Sequence, residues 1–192
     1  MAVSTRRERH EILLVRVKAG KIEQMRTIKL QHGCVGLAHR GGHLYISDWT
    51  ALHVYDMASG QSRQLYIDWT GEYTVTSSAV SLDGSQIYIT NRYNHQLITL
   101  NKDGTKLSTL THPELQYPTH VRITPQGHMF VSCADLGTVV QVVTRDGKKT
   151  VKTLAGTRNY LTKPVSLYFI SSNNMLVVGQ FGNNNIVELR LK

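Results

Sequence analysis

An all-β fold of repeated blades, each made of four short antiparallel strands, is what the sequence predicts, on three observations. Glycine turns recur at near-constant spacing: Gly20, Gly60, Gly104 and Gly147 sit in Lys-Ala-Gly-Lys, Ala-Ser-Gly-Gln, Lys-Asp-Gly-Thr and Arg-Asp-Gly-Lys, 40, 44 and 43 residues apart. Each turn follows a segment in which apolar and polar residues alternate, the period of a half-buried strand. Helical periodicity is absent, and no capping box precedes an i, i+3, i+4 stripe. Four strands in each repeat, joined by Gly-containing hairpins, is the pattern of a β-propeller blade. A sandwich of antiparallel strands explains the alternation but not the regular spacing of the turns.

The elements follow in order. Third strands are expected at 13–17, 53–56, 97–101 and 139–143, each leading into its turn. Second strands are expected at 44–47, 87–90 and 129–132, with a fourth copy at 175–178 running into a strand at 186–191. First strands are expected at 35–39, 79–82, 121–124 and 165–169. The organisation is then a basic flank at 1–10 and one propeller domain at 11–192. That domain divides into a partial blade of two strands at 11–32, full blades at 33–73, 74–112 and 113–156, and a partial blade at 157–192. An arc of this kind leaves open sheet edges, which invite self-association.

The chain has 192 residues, 41% hydrophobic and 7% aromatic, enough to build a packed core. Its longest aliphatic run, 12–15, is far short of the roughly 20 apolar residues that span a bilayer as a helix. The opening Met-Ala-Val-Ser-Thr-Arg-Arg-Glu-Arg-His has no secretory apolar stretch, and no Asn-x-Ser/Thr sequon occurs. Two cysteines, Cys34 and Cys133, make neither a zinc finger nor a disulfide framework. A cytoplasmic protein with reduced thiols and no membrane association is expected. The net charge of +9 suggests nucleic acid until it is located: residues 1–32 hold eight Lys or Arg against three Asp or Glu, more than half of the excess. Lys18, Lys21, Lys102, Lys106, Arg145, Lys148 and Lys149 flank the glycine turns, where a solvated lysine guards a strand end against edge pairing.

The stretch Asp83-Gly84-Ser85-Gln86-Ile87-Tyr88-Ile89-Thr90-Asn91-Arg92-Tyr93-Asn94-His95-Gln96-Leu97-Ile98 resembles an NHL repeat. So do Gly127-His128-Met129-Phe130-Val131 and Met175-Leu176-Val177-Val178-Gly179-Gln180-Phe181-Gly182-Asn183-Asn184-Asn185-Ile186, and Pro118 and Pro164 stand where that family opens a blade. One copy departs from the pattern, with Trp49-Thr50-Ala51-Leu52 where Asn is usual, and the residue closing the second strand reads Asp48, Asn91, Cys133 and Gly179. The resemblance covers nearly the whole chain. It implies a six-bladed ring, of which about four to five blades are present here, the ring thus incomplete. It also implies a non-catalytic, C-terminal target-recognition module like that of tripartite-motif proteins, which select targets for ubiquitination. Two cysteines cannot form a RING and no heptad is present, so the chain is expected to be an adaptor and not itself a ligase.

Propeller lactonases and related hydrolases hold calcium in the axial channel lined by first strands, and calcium takes six to eight oxygen ligands. The first strands here read Gly36-Leu37-Ala38-His39, Ala79-Val80-Ser81-Leu82, His120-Val121-Arg122-Ile123 and Ser166-Leu167-Tyr168-Phe169, with no carboxylate. A calcium-dependent hydrolase is therefore the least favoured reading. The nine histidines read as separate surface residues, with His39 and His43 flanking a turn and His112 and His120 bracketing a loop. Neither cysteine has a basic neighbour, and both are expected to be packed thiols. There is no Gly-x-Ser-x-Gly turn, and Gly41-Gly42 and Gly182 precede no helix, so they cradle no phosphate. No catalytic residue, cofactor or metal is expected.

Loops from second to third strands gather on one face with the loops between blades. There the sequence places Trp49, Arg92, Tyr93, His95, Tyr117, Arg158, Asn159, Tyr160, Lys163 and Phe181, with Arg122 nearby on a first strand. Docking of a protein partner on this face is the expected function. The alternative is single-stranded RNA, its bases stacked on the aromatics and its phosphates met by Arg92, Arg122, Arg158 and Lys163. These side chains serve equally as solvated loop residues with a few aromatics packed beneath them.

Overall fold

The computed structural model describes residues 2–4, 10–145 and 148–191 and places them in five antiparallel sheets. The first holds β1 (Ala2–Ser4), β2 (Glu11–Lys18) and β3 (Lys21–Lys29). The second holds β4 (Gly36–Arg40), β5 (His43–Asp48), β6 (Ala51–Asp56) and β7 (Ser62–Ile67). The third holds β8 (Ser77–Val80), β9 (Gln86–Asn91), β10 (Gln96–Asn101) and β11 (Lys106–Thr111). In the fourth are β12 (Pro118–Ile123), β13 (Met129–Cys133), β14 (Thr138–Arg145) and β15 (Lys148–Ala155). The fifth has β16 (Pro164–Ile170), β17 (Met175–Gln180) and β18 (Val187–Arg190). The innermost strands of successive sheets, β4, β8, β12 and β16, pack on one another in that order. Three four-stranded blades thus stand between two three-stranded ones in a β-propeller arrangement.

Pro118 and Pro164 open β12 and β16, at the first residue of a strand, where a missing N–H costs the ladder least. The inner strand of the third sheet lies two residues upstream of its expected place, because the following turn claims residues 81–85. There Asp83 accepts hydrogen bonds from the Ser81 and Ser85 hydroxyls and the Ser85 amide, which hold its carboxyl down at about 2.

The flank expected to be solvated contributes a strand. Ala2 pairs with Leu14 and Ser4 with Ile12, so the first sheet has three strands and not two. Three residues are too few to display alternation; the partner strand recruits them. Arg6, Arg7 and Arg9, and the turn at Asp146-Gly147, lie outside the described residues.

Apolar layers fill the space between neighbouring sheets, one for each pair. Ile12, Ile28, Leu44 and Ile46 join the first to the second; Leu52, Val75, Ile87, Ile89 and Ile98 join the second to the third. Tyr88, Leu97, Val121, Val131 and Val140 join the third to the fourth, and Phe130, Leu161, Leu167 and Phe169 join the fourth to the fifth. Interior sheets bury both faces, which is why β9, β10 and β13 are buried along almost their whole length, with Thr90, Asn91, Thr99 and Ser132 buried among the aliphatics. Each fully buried Ile or Leu contributes about 1.5–3 kcal/mol, so every blade is stabilised chiefly by its neighbours. Among the described residues no such layer joins the fifth sheet to the first.

One turn lysine behaves differently from expectation. Lys149 reaches across to the third sheet, where its ammonium donates to the Thr99 hydroxyl and to Ser108 Oγ at 3.1 Å and lies 5.5 Å from the Tyr88 ring centre. Burial lowers its pKa. It is a clamp between blades and not a solvated guard of a strand end.

Candidate functional site

Strand order brings the turns at 49–50, 92–95, 134–137 and 181–186 to one face of the propeller, together with the links at 68–76, 112–117 and 156–163. On that face planar side chains from consecutive blades form a rail. Trp49 meets Tyr73 edge-on, with ring centres 4.9 Å apart and planes at 84°. The Arg92 guanidinium lies between the rings of Tyr73 at 5.2 Å and Tyr117 at 4.0 Å. His95 Nδ1 accepts the backbone N–H of Tyr117 at 2.9 Å. All four ring-bearing residues have left-handed backbones, with φ of 51° at Trp49, 58° at Tyr73, 56° at His95 and 54° at Tyr117. Such conformations cost about 1–3 kcal/mol each and persist where the surroundings overdetermine them; the stacking is that surrounding.

A polar network lies beneath the rail. Buried Asn91 donates its amide to Asp68 Oδ2 at 3.1 Å and accepts the Asn94 N–H at 2.9 Å. Asp68 also accepts the Thr70 hydroxyl at 2.6 Å, and Asn94 donates to Thr70 Oγ1 at 2.8 Å. Asn91 thereby ties the turn that bears Arg92 to the link that bears Tyr73. Replacing Asn91 with Ala leaves the Asp68 oxygen and the Asn94 amide without this partner. A loss of about 2 kcal/mol is expected, seen as a Tm about 4–8 °C below wild type.

The residues expected to contact a ligand divide into two groups. Trp49, Arg92, His95 and Tyr117 spend their planar surfaces and hydrogen bonds on one another. Tyr93, Tyr160 and Phe181 are 55%, 83% and 69% exposed, beside exposed Arg158, Asn159 and Lys163. Trp69, 75% exposed in the link after β7, belongs with them and was missed. Its signal was a tryptophan in the polar, Gly-containing segment Asp68-Trp69-Thr70-Gly71. Arg122 is not on this face: it sits on inner strand β12 opposite Phe130, its guanidinium 5.6 Å from the ring centre of Tyr168 on β16.

Two expectations about isolated surface histidines fail. His120, on β12, has its pKa pushed down to about 4, first by burial and then by Arg122. His32 and His53 stack face to face with ring centres 3.6 Å apart, and burial lowers the His53 pKa, followed by the neighbouring His32. Together with Asp48 they form the only cluster of three or more metal-ligating side chains among the described residues. Cys133 is the packed thiol expected, its pKa pushed up to about 12 by burial. The inner strands β4, β8, β12 and β16 contain no carboxylate.

Residues 37–169 match the family model described as Lactonase, 7-bladed beta-propeller. The chain belongs to that propeller lactonase family. The family's description counts seven blades where the NHL resemblance implied six, and the match is to the lactonase model and not to NHL repeats. This lactonase-family chain is also similar in fold to a solved nidogen/laminin complex, with a TM-score of 0.80 and 16% identity over 95% of this chain and 71% of that one. It resembles a protein of unknown function from Bacteroides caccae, with a TM-score of 0.68 and 14% identity over 94% and 74% of the two chains. Hydrazine synthase of Kuenenia stuttgartiensis is similar at a TM-score of 0.64 and 15% identity, covering 81% of this chain and 45% of that one. The lactonase-family chain therefore spans less than half the length of that enzyme's chain. At these identities the likeness is one of fold. No curated protein sequence matches. No helix among the described residues is long and apolar enough to cross a membrane.

Proposed function

We propose that this chain is a recognition module that docks a protein partner on its loop face. The observation supporting this reading is that large aromatics are exposed on that face, Trp69 and Tyr93 from one pair of consecutive loops and Tyr160 and Phe181 from another. Tyr and Trp dominate the energetic centres of protein interfaces. The cations at this end favour protein over RNA: Arg92 is stacked between two tyrosines, leaving Arg158 and Lys163 exposed in the single link 156–163, while other loops of the same face carry Asp68, Glu72, Glu114 and Asp135. A surface tracking phosphates needs a basic groove.

The test is a random-peptide display selection on the immobilised chain, with selected peptides titrated against a Trp69→Ala/Tyr160→Ala/Phe181→Ala variant. Each lost aromatic anchor is worth about 2 kcal/mol, so affinity should fall at least about 30-fold with the fold intact. Peptides that bind the variant unchanged overturn the reading. Tight binding of a random single-stranded RNA pool, weakening steeply between roughly 50 and 200 mM salt, would replace it with RNA recognition.

The family match favours a second reading, hydrolysis of a lactone at the inner strands. His120, kept neutral, and Arg122 on β12 stand where such a site would supply a base and an anion-stabilising group. Ring opening of a panel of sugar lactones faster than buffer, and lost in Arg122→Ala, would establish that activity; buffer rates throughout would dismiss it.

A further inference from the structure

We propose that His32, Asp48 and His53 form a binding site for a divalent transition-metal ion, with Zn²⁺ the best fit, at the junction of the first two sheets. His32 lies in the link between β3 and β4, Asp48 closes β5 and His53 is the third residue of β6. One nitrogen from each imidazole and one carboxylate oxygen lie within 4.8 Å of one another. Ligand distances of about 2.0–2.2 Å put donors to a single ion roughly 3–4 Å apart, so loading the site requires the two parallel rings to turn out of their stack until their nitrogen lone pairs converge.

Three independent features point to a ligand. First, His32 Nδ1 lies 2.9 Å from the Gly33 carbonyl oxygen, a contact that needs the proton on Nδ1. That tautomer leaves a bare lone pair on Nε2, which is buried without a hydrogen-bond partner. Second, the repeat shows that His53 occupies a core position. It pairs with Ile46 as Ile98 pairs with Ile89 and Val140 with Val131 in the next two blades, and Ile98 and Val140 are buried aliphatics. A histidine in place of a core aliphatic needs compensation that an apolar layer does not supply.

Third, Asp48 stands where Asn91 stands one blade later. Asn91 accepts the N–H three residues on, whereas the turn after Asp48 has only two residues before β6 begins. The Asp48 carboxylate lies instead beside His53 Nε2, at 3.9 Å, too far for a hydrogen bond. It also packs against Gly33, where any β-carbon would collide with it. Two imidazoles and one carboxylate suit Zn²⁺ and its transition-metal neighbours better than calcium, which prefers all-oxygen sets. His32 and His53 also line a cleft of about 520 Å³ with Lys29, Tyr55 and Gln64, which gives a fourth, exchangeable ligand access from solvent.

The test uses the whole chain, stripped with a chelator and titrated with ZnCl₂ by calorimetry, with Co²⁺ absorption as the spectroscopic readout. One ion per chain is expected, together with a rise in Tm on loading and the intense visible bands of low-coordinate Co²⁺. CaCl₂ at the same concentration should leave Tm unchanged. His53→Ile restores the aliphatic of the neighbouring blades and should fold while losing at least about 100-fold in Zn²⁺ affinity. Asp48→Asn, which keeps the shape, should weaken binding about 10-fold or more. The proposal is overturned if no saturable one-to-one binding occurs, or if both variants retain wild-type affinity and cobalt spectrum.

Discussion

Gly104→Val should lower the Tm by about 6–12 °C. Gly104 has φ of +90°, a region that a β-branched residue resists. A side chain there also meets a neighbour, because the β-carbon would collide with the Leu65 carbonyl on β7 of the preceding blade. Left-handed strain of about 1–3 kcal/mol combines with the cost of pushing two blades apart, giving about 3 kcal/mol, and a domain of this size shifts about 2–4 °C per kcal/mol. Gly84→Val is the control. Gly84 has φ of +77° but open space around its β-carbon, so the difference between the two variants isolates the contact between blades. Equal Tm losses would mean that the Leu65 contact contributes nothing.

Acidification should destabilise the fold through His120. Its pKa in the folded chain is about 4, against about 6.5 for a free imidazole. Between those values the unfolded chain binds a proton that the folded chain refuses. Stability is therefore complete above about pH 6.5 and falls as pH drops toward 4. The gap corresponds to about 3 kcal/mol, or about 6–12 °C in Tm. Melting curves of wild type and His120→Gln between pH 7.5 and 4 check this, with wild type losing that much more than the variant. Parallel curves would show that the His120 ring titrates as it does in water.

Fold class was legible because a blade is a local object. A period near 43 residues, alternation within strands and glycines at hairpins are short-range signals, and each strand must satisfy them whatever its neighbours do. Strands β5, β9, β13 and β17 accordingly fall where alternation places them. Strand β1 escaped because three residues have no period, and β8 shifted because the Asp83 turn takes hydrogen bonds that alternation does not reveal.

The candidate face was legible in outline, since strand order alone sends those loops to one end. Which side chains remain free was not. Arg92 looks like a phosphate ligand in the sequence, yet tyrosines 19 residues before it and 25 after it enclose its guanidinium. Lys149 looks solvated, yet it crosses to hydroxyls on the neighbouring blade.

By itself, then, the sequence determined the repeat, the all-β class and the end of the blades at which the aromatic-bearing loops gather, because these follow from hydrogen bonding and apolar periodicity within about 40 residues. Only the tertiary structure decided that Trp69, Tyr93, Tyr160 and Phe181 stay exposed, and that His32, Asp48 and His53 converge. Stacking, burial and ligand geometry depend on distances between blades. Those distances are set by how the apolar layers close, and no spacing along the chain encodes them.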